Sequence, residues 1–458
     1  MRETTVRDGV QWVGVVGDSA TTANEMLVTT LRRCTDAARE RGPEKSDEIL
    51  DYQIVLTNPL ARITTLTARP LTIVGAVARF VWMVSHSNRL ADIAFYEPKV
   101  SGYTDDGLSV PGSDYGRRMF QSAPNLDQVE GVIRRLRADR SSRRAAVVIW
   151  QPSDAVRESN DIPCAFGAFY HVRDGKLIAT TIMRSNNAFR LLPFNTFEFS
   201  LVAEIVAREV GVELGAYVHF AASMHVLEVE RDKVRSLLDA GRSEDESATG
   251  EMPHMPSEPA AFDQARELCR LESKLRHDHA GVANSSPEDL LKEARASLHP
   301  YWLAFYQVLL THALARADRI QTAEEIASLL PSYFRGGVMR MLEKLPRRGS
   351  TEQLALDGSF DPSLDTGLQT IDQAFAATAT ETNAAVVQLL DHVEVIERQR
   401  GTRPSTATIK LLHERLIARA PIRLAARSEG AGSPFDRNRL SFQEVESALL
   451  EIERSEQV

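Results

Sequence analysis

The chain has 458 residues, enough for about three domains, and its 43% hydrophobic and 26% charged residues are typical of a globular protein. Its formal net charge of −9 argues against a general nucleic-acid-binding protein, which would present a basic face. The three cysteines are too few and too scattered for a disulfide framework, and no His/Cys cluster indicates a metal site. Neither a signal peptide nor a membrane-spanning run is evident. We therefore expect a cytoplasmic protein that binds no metal, membrane or nucleic acid.

Helix and strand signals alternate in the first part of the sequence. Residues 145–150 form a short apolar run typical of a strand. Residues 173–176 contain the Asp-Gly pair of a tight hairpin between two apolar segments. Residues 197–210 have apolar side chains at helical spacing and end at Gly211, a common helix terminator. This pattern predicts an α+β fold with a mixed β-sheet packed by helices.

Composition changes after residue 240. Residues 241–260 are acidic, rich in proline and serine and without periodic apolar residues, which is typical of a linker or long loop. Further on, Ser286 followed by Pro287 and two acidic residues predicts the start of a helix. Residues 301–316 carry the broad apolar stripe of a helix in a packed core. The second part is therefore predicted to be mostly α-helical.

A series of short motifs in the first part points to chemistry. Ile162-Pro163-Cys164 precedes an apolar segment, and Arg184-Ser185-Asn186-Asn187, Leu192-Pro193-Phe194-Asn195 and His225 follow it in that order. Upstream lie Asn58-Pro59-Leu60-Ala61-Arg62, Phe80-Val81-Trp82, Ser113-Asp114-Tyr115-Gly116-Arg117 and Ser142-Arg143-Arg144. Each motif alone is a weak signal, but their order and intervals together are specific.

In that order and at those intervals, the motifs resemble thymidylate synthase and its relatives, the pyrimidine nucleotide hydroxymethylases. The resemblance covers residues 50–235. It implies that residues 1–235 form a thymidylate-synthase-like nucleotide domain. Residues 236–284 would then be an acidic linker with a connecting helix, and residues 285–458 an α-helical region whose role nothing in the sequence assigns. The resemblance also implies a homodimer with shared active sites.

The implied reaction takes place at carbon 5 of a pyrimidine nucleoside monophosphate. Cys164, Tyr115 and Arg184 would be catalytic. A thiolate that adds to carbon 6 turns the ring into an enolate, whose carbon 5 can attack a one-carbon unit. Positive charge at Arg184 would favour the thiolate. The implied one-carbon donor is 5,10-methylene-tetrahydrofolate, and the product carries a methyl or a hydroxymethyl group.

The implied substrate contacts divide between phosphate, base and sugar. Arginine forks suit a phosphate, with Arg143 and Arg144 reaching the site of the partner subunit. Asn195 would read the base, and a carboxamide that accepts from N3–H and donates to O4 favours uridylate, although an amide can flip. His225 would contact the sugar hydroxyls. The predicted substrate-binding residues are Arg62, Arg143, Arg144, Arg184, Ser185, Asn187, Asn195 and His225.

Several positions depart from the family pattern. The family's proton-transfer glutamate lies three residues before the helix tryptophan, where this chain has Arg79, and a guanidinium cannot act as a general base. Glu97 is the nearest acid in a neighbouring loop of the sequence. Asn187 replaces a folate-contacting aspartate, and Leu227 replaces a tyrosine that contacts the sugar, which leaves ribose against deoxyribose open. Ala165, Met183 and residues 221–223 also differ from the usual pattern.

Two hypotheses follow. In the first, the chain is an enzyme that transfers a one-carbon unit to carbon 5 of a pyrimidine nucleotide through a Cys164 adduct. In the second, it is a catalytically impaired nucleotide sensor whose helical C-terminal region engages a protein partner. Cys164 favours the enzyme, because binding alone requires no thiol, whereas Arg79 favours the sensor.

Overall fold

The structure is a computed structural model that describes residues 4–7, 10–13, 17–37, 40–41, 45–123, 126–240 and 250–345. The predictions for residues 346–458 lie outside these ranges. The described residues fall into two compact units. The smaller unit contains Asn88–Pro111 and Ser159–Asp161, and the larger unit contains the others.

Strands and helices follow one another through the larger unit as the sequence predicts. The strands are β1 (Thr4–Arg7), β2 (Val10–Val13), β3 (Asp18–Ala20), β4 (Glu40–Arg41), β5 (Ser46–Leu56), β6 (Ala146–Val148), β7 (Ala165–Arg173), β8 (Lys176–Met183), β9 (Asn186–Asn187) and β10 (Glu213–Leu227). The helices are α1 (Ala23–Ala37), α2 (Ile73–Val84), α3 (Leu90–Ala94, in the smaller unit), α4 (Tyr115–Phe120), α5 (Gln128–Ala138), α6 (Leu192–Val210), α7 (Arg231–Ala240), α8 (Ala261–His277), α9 (His279–Asn284), α10 (Pro287–Ser297), α11 (Pro300–Arg316), α12 (Ile320–Ser328) and α13 (Ser332–Glu343).

A mixed sheet forms the centre of the larger unit. Its strand order is β3-β5-β10-β8-β7-β6, with β4 beside β5 and β9 beside β10. Strand β10 runs antiparallel to β5 and parallel to β8. The hairpin between β7 and β8 turns at Asp174 and Gly175, both with positive φ, as a type I′ turn requires. The structure confirms the predicted α+β fold and this hairpin.

Helix α6 lies against the inner face of the sheet and contacts β8 and β10. Its first turn is the Leu-Pro-Phe-Asn motif, because proline is tolerated where backbone N–H groups have no helical partner. The helix therefore begins five residues earlier than the periodicity predicted. It ends at Gly211, whose φ of 76° confirms the predicted terminator.

Residues 250–345 pack against the first part of the larger unit. Helix α2 is apolar on almost all sides, and α8 and α11 cover it. Phe80 of α2 stacks on Trp302 of α11 at 6.3 Å between ring centroids. The N–H of Ile63 donates to the carbonyl of Gly250, and the N–H of Met252 to that of Leu60. Residues 241–249 lie outside the described ranges, so the division into three segments stays a prediction.

Two helices after residue 285 form where the sequence predicts them. The Ser286 hydroxyl accepts from the Asp289 N–H at 3.2 Å and caps α10. The stripe in residues 301–316 forms the buried helix α11. None of the helices in the described ranges combines the length and apolar character that crossing a membrane requires.

The smaller unit consists of α3, a 3-10 turn at Pro98–Gly102 and the loop that follows. The Asp106 carboxylate closes this loop by accepting from the N–H groups of Leu108 and Ser109 at 2.8 and 2.7 Å. The N–H of Asn160 donates to Asp105 at 3.0 Å and joins the two segments of the unit. Glu97 belongs to this unit.

Candidate active site

Cys164 is half-buried and directly precedes β7, next to the end of β8. Arg184 follows β8, and its backbone N–H donates to the Cys164 carbonyl at 2.8 Å. Its guanidinium donates to the carbonyls of Pro163 (2.8 Å) and Ile162 (3.0 Å) and lies over the Trp150 ring. These contacts hold a permanent positive charge against the turn that carries the thiol, and such a charge favours a thiolate.

The other two cysteines have interior surroundings. Burial raises the pKa of Cys34 to about 12, and its thiol lies 3.7 Å from the Met224 carbonyl oxygen. Burial also raises the pKa of Cys269 far above its ordinary range, and its thiol donates to the Val81 carbonyl at 3.6 Å. Both thiols therefore stay protonated at neutral pH, as is usual for structural cysteines.

Tyr115, at the start of α4, lies beside the same turn. Its ring stacks on Phe199 of α6 at 5.8 Å, and its hydroxyl accepts from the N–H of Ala165. Burial, reinforced by the neighbouring Cys164, raises the pKa of Tyr115 above its ordinary value of 10. The hydroxyl therefore keeps its proton at neutral pH and can donate it in a hydrogen bond.

Asn195 and His225 approach from α6 and β10. Asn195 is buried in the first turn of α6, and its Oδ1 accepts from Asn186 Nδ2 at 2.9 Å. His225 is half-buried on β10, directly between Asn187 of β9 and Glu48 of β5 in the strand register. The contacts of these two residues with a base and a sugar stay predictions.

The remaining predicted phosphate contacts are more accessible. Ser185 is half-buried and follows Arg184. Arg143 and Arg144 are exposed in the turn before β6, the last strand of the main sheet path. Their contact with the phosphate in a partner subunit's site stays a prediction.

A sequence model of the thymidylate synthase family matches residues 26–261, from α1 to the first residue of α8. This chain belongs to the thymidylate synthase family. The match covers more than half of the chain and includes each motif from Asn58 to His225. It confirms the family resemblance on which the site residues were assigned.

Curated relatives include two phage enzymes. The chain is 34% identical over 162 residues to a deoxyuridylate hydroxymethyltransferase of Pseudomonas phage M6, which is 35% of this chain and 46% of that protein. It is 28% identical over 212 residues to a deoxyuridylate hydroxymethyltransferase of Bacillus phage SP01, which is 44% of this chain and 55% of that protein. The chain thus spans about half the length of these relatives.

At the position of the family's glutamate, this thymidylate synthase family member has an ion pair between two helices. Arg79 of α2 donates from Nε to Glu198 Oε1 of α6 at 2.8 Å, and its guanidinium lies over the Phe194 ring. The Glu198 side chain is only 2% exposed. Both charges act electrostatically on the Tyr115 hydroxyl, which in turn lies beside Cys164. A carboxylate is therefore present near the thiol, although it comes from another helix.

The sequence analysis missed Glu198 and considered Glu97 instead, which belongs to the smaller unit. A signal was available: Glu198 follows Asn195 by three residues, and side chains at that spacing share one face of a helix. If Asn195 contacts the base as predicted, this spacing places Glu198 on the same side of α6 as the base.

The structure corrects the prediction for Arg62. Its side chain is fully buried, donates from Nε to the Pro59 carbonyl at 2.8 Å and pairs through Nη2 with Glu204 at 2.6 Å. The N–H of Met255 donates to the other Glu204 oxygen at 2.7 Å and helps to enclose the pair. A guanidinium in this position cannot contact a nucleotide phosphate, so Arg62 has a structural role.

Asn187 bonds to two neighbouring segments of the protein, and its contact with a ligand stays a prediction. Its Nδ2 donates to Glu230 at 2.9 Å, and its Oδ1 accepts from the Arg190 N–H at 2.6 Å. Glu230 accepts in addition from the Leu227 N–H at 2.9 Å. The Asn187 amide thus fastens β9 to the turn after β10, and both of its polar atoms already have partners in the protein.

Proposed function

We propose that this chain is an enzyme that modifies carbon 5 of a pyrimidine nucleoside monophosphate through a covalent adduct on Cys164. The observation that carries the proposal is the group of side chains around that thiol. Arg184 supplies positive charge, Tyr115 supplies a protonated hydroxyl, and Glu198 supplies a carboxylate beside Tyr115. A protein that only binds nucleotides requires none of these groups around a thiol.

The first step is addition of the Cys164 thiolate to carbon 6. A carbon–sulfur bond forms, and the electron pair of the C5–C6 double bond moves to the oxygen on carbon 4. Carbon 5 then attacks an electrophilic one-carbon unit and loses its proton to a base. The bond from that unit to its carrier must break, with water completing a hydroxymethyl group or a hydride completing a methyl group, before the thiolate leaves and the C5–C6 double bond reforms. We assign proton acceptance to Glu198, directly or through water, because it is the carboxylate that the structure brings to Tyr115.

The family's one-carbon donor is methylene-tetrahydrofolate, which supplies the electrophilic carbon when bound. The position tested for its contact in this chain is Asn187, whose amide is occupied by Glu230 and Arg190. Each polar atom of this amide keeps a second hydrogen-bonding position, so Asn187 is still able to contact the donor. The steps above concern the nucleotide alone, and the donor and the product, methyl or hydroxymethyl, are left to the experiment.

Substrate choice is proposed from the relatives and from Asn195. The two phage relatives are named for deoxyuridylate, and an asparagine at the base suits uracil. The phosphate would be held by Arg184 and Ser185, with Arg143 and Arg144 of the partner subunit.

A homodimer is proposed from the edge of the sheet that carries Arg143 and Arg144. Three large apolar side chains on β6 and at the start of β7 are about half exposed: Val148 (51%), Phe166 (49%) and Phe169 (41%). Neighbouring exposed apolar side chains of this kind are typical of a subunit interface. A second copy that covered them would carry the preceding arginines into its partner's site.

Intact-mass analysis with 5-fluoro-2′-deoxyuridylate tests the adduct, with and without methylene-tetrahydrofolate. We expect native protein to gain the mass of the nucleotide, and Cys164→Ser to bind it without a covalent adduct. Cys269→Ser is the matched control and should retain the adduct, because the Cys269 thiol is hydrogen-bonded to the Val81 carbonyl. If native protein binds the nucleotide but shows neither an adduct nor carbon-5 hydrogen exchange, the sensor hypothesis would replace the enzyme hypothesis.

A further inference from the structure

A chain of buried side chains leads from the sheet to the base-reading residue. The Tyr217 hydroxyl lies 3.1 Å from His219 Nδ1, and His219 Nε2 lies 3.0 Å from Asn186 Oδ1. Asn186 Nδ2 then donates to Asn195 Oδ1 at 2.9 Å. All four side chains are buried, so water does not compete for these hydrogen bonds.

Each link in this chain has a direction. Asn186 Oδ1 can only accept, so His219 Nε2 must carry the proton. Burial lowers the pKa of His219 to about 3, so the ring is neutral and its Nδ1 is an acceptor for the Tyr217 hydroxyl. Burial raises the pKa of Tyr217, whose hydroxyl also bonds to Thr181, and the hydroxyl keeps its proton. Donation therefore runs from Tyr217 to Asn195.

The direction of these hydrogen bonds decides which polar atom of the Asn195 carboxamide is bonded to Asn186. Because Asn186 donates to Oδ1, the amide nitrogen points away from Asn186 as a donor. The second lone pair of Oδ1 can still accept a hydrogen bond. This pattern matches a base with an acceptor at position 4 and an N–H at position 3, which is uracil. Cytosine has the opposite pattern at both positions.

We propose that Asn186 and His219 determine base preference by fixing the orientation of the Asn195 carboxamide. Neither needs to touch the nucleotide, so both are positioning residues. The inference rests on the proposed function, because it requires a pyrimidine nucleotide at Asn195. Without these hydrogen bonds, the Asn195 carboxamide could rotate by about 180° and bind either base.

Asn186→Asp reverses the last link without changing the size of the side chain. A carboxylate accepts only, so His219 Nε2–H still donates to it, but Asn195 must turn its amide nitrogen towards residue 186. The Asn195 oxygen then becomes the group that meets the base, which suits the amino group of cytosine. One misplaced polar pair changes affinity by about 5- to 150-fold, so the ratio of affinities should fall by at least about 5-fold or reverse.

Titration calorimetry with deoxyuridylate and deoxycytidylate tests this, with thermal unfolding as a check of folding. Native protein should bind deoxyuridylate more tightly, and Asn186→Asp should lose or reverse the preference. Asn24→Asp is the matched control, since Asn24 is a buried asparagine of α1 whose amide bonds to Thr65. It should lose stability and keep the native ratio. An unchanged ratio in folded Asn186→Asp overturns the inference.

A second pair of variants covers the case in which Asn186→Asp does not fold. His219→Gln keeps an N–H near the Nε2 position and should keep the ratio, whereas His219→Leu removes the donor and should bring the ratio towards one. Equal ratios in these two variants overturn the role of His219. Native protein that binds both nucleotides equally also overturns the inference, whereas native protein that binds neither overturns the proposed function.

Discussion

Arg79 and Glu198 form an ion pair between helices α2 and α6, close to the proposed active site. The arginine occupies the position of the family's glutamate on α2, and the carboxylate comes from α6 to pair with it at 2.8 Å. Because both charges act on Tyr115, the pair is part of the surroundings of Cys164. Arg79, which favoured the sensor hypothesis, is thus paired with an acidic residue, Glu198, that an enzyme can use.

Glu198→Gln should reduce carbon-5 hydrogen exchange while nucleotide affinity changes little. A positioned acid–base group typically contributes ~10²–10⁴-fold in rate, and an amide cannot accept the proton. Tritium release from 5-tritiated deoxyuridylate measures the effect. Glu209→Gln, on the same helix and paired with Arg137, is the control and should exchange at the native rate. Native exchange in Glu198→Gln would remove that residue from the mechanism.

Arg79→Glu alone should destabilise the protein, because it places a second carboxylate against the buried Glu198. The reversed pair, Arg79→Glu with Glu198→Arg, restores opposite charges and should recover most of the lost stability. Urea unfolding of the native protein, both single variants and the double variant gives the coupling between the positions. Additive effects would mean that the two side chains do not interact.

Residues in short sequence motifs could be singled out from the sequence, whereas contacts between residues far apart in the sequence could not. Cys164, Arg184 and Tyr115 were singled out from short motifs. The hairpin of β7 and β8 brings Cys164 and Arg184 together, and α4 adds Tyr115 beside them. The burial of Arg62 depends on Glu204, 142 residues away in sequence, and no local pattern predicts such a pair. The hydrogen bond from Asn187 to Glu230 likewise joins residues that are 43 positions apart.

Helices α2 and α4 meet at a glycine next to Tyr115. A Cβ on Gly116 would lie 1.7 Å from the Met83 carbonyl oxygen at the end of α2. The Tyr-Gly motif therefore has a packing reason: the glycine lets α4 approach α2 closely enough to place Tyr115 beside Cys164. The close packing of α2 against α4 thus depends on a glycine at position 116.

Gly116→Ala should destabilise the protein by about 1–3 kcal/mol, because the backbone of Met83 cannot move aside cheaply. Gly131→Ala in α5 is the control, because a Cβ there meets nothing within 4 Å. It should stabilise the helix by about 0.5–1 kcal/mol, since alanine is the better helix former. Urea unfolding measures both. Equal effects would show that Gly116 is not a packing requirement.

At the scale of the assembly, shared sites make a specific prediction. Mixed dimers of Cys164→Ser and Arg144→Ala contain one site with neither lesion, if Arg144 reaches its partner's phosphate. The mixture should therefore form 5-fluoro-nucleotide adducts that Cys164→Ser cannot form and that Arg144→Ala forms poorly. Mass analysis should find the adduct on the Arg144→Ala chain.

The matching control mixes Cys164→Ser with Arg184→Ala. Both residues belong to one subunit's site, so each site of the mixed dimer keeps one lesion and the adduct should not recover. Recovery in both mixtures would contradict the assignment of Arg144 to the partner's site. A monomer by light scattering at micromolar concentration would contradict the shared site altogether.

The enclosure of Arg62 and Glu204 has a consequence for the protein during its synthesis. The N–H of Met255, which donates to Glu204, and the ring of Trp302, which stacks on Phe80, both follow the last strand of the sheet, β10, in the chain. At roughly 5–20 residues per second, these groups leave the ribosome seconds after that strand. Until then the nascent domain has a buried carboxylate without one of its donors and a bare apolar helix. The emerging chain is therefore most exposed to aggregation and chaperone binding in that interval.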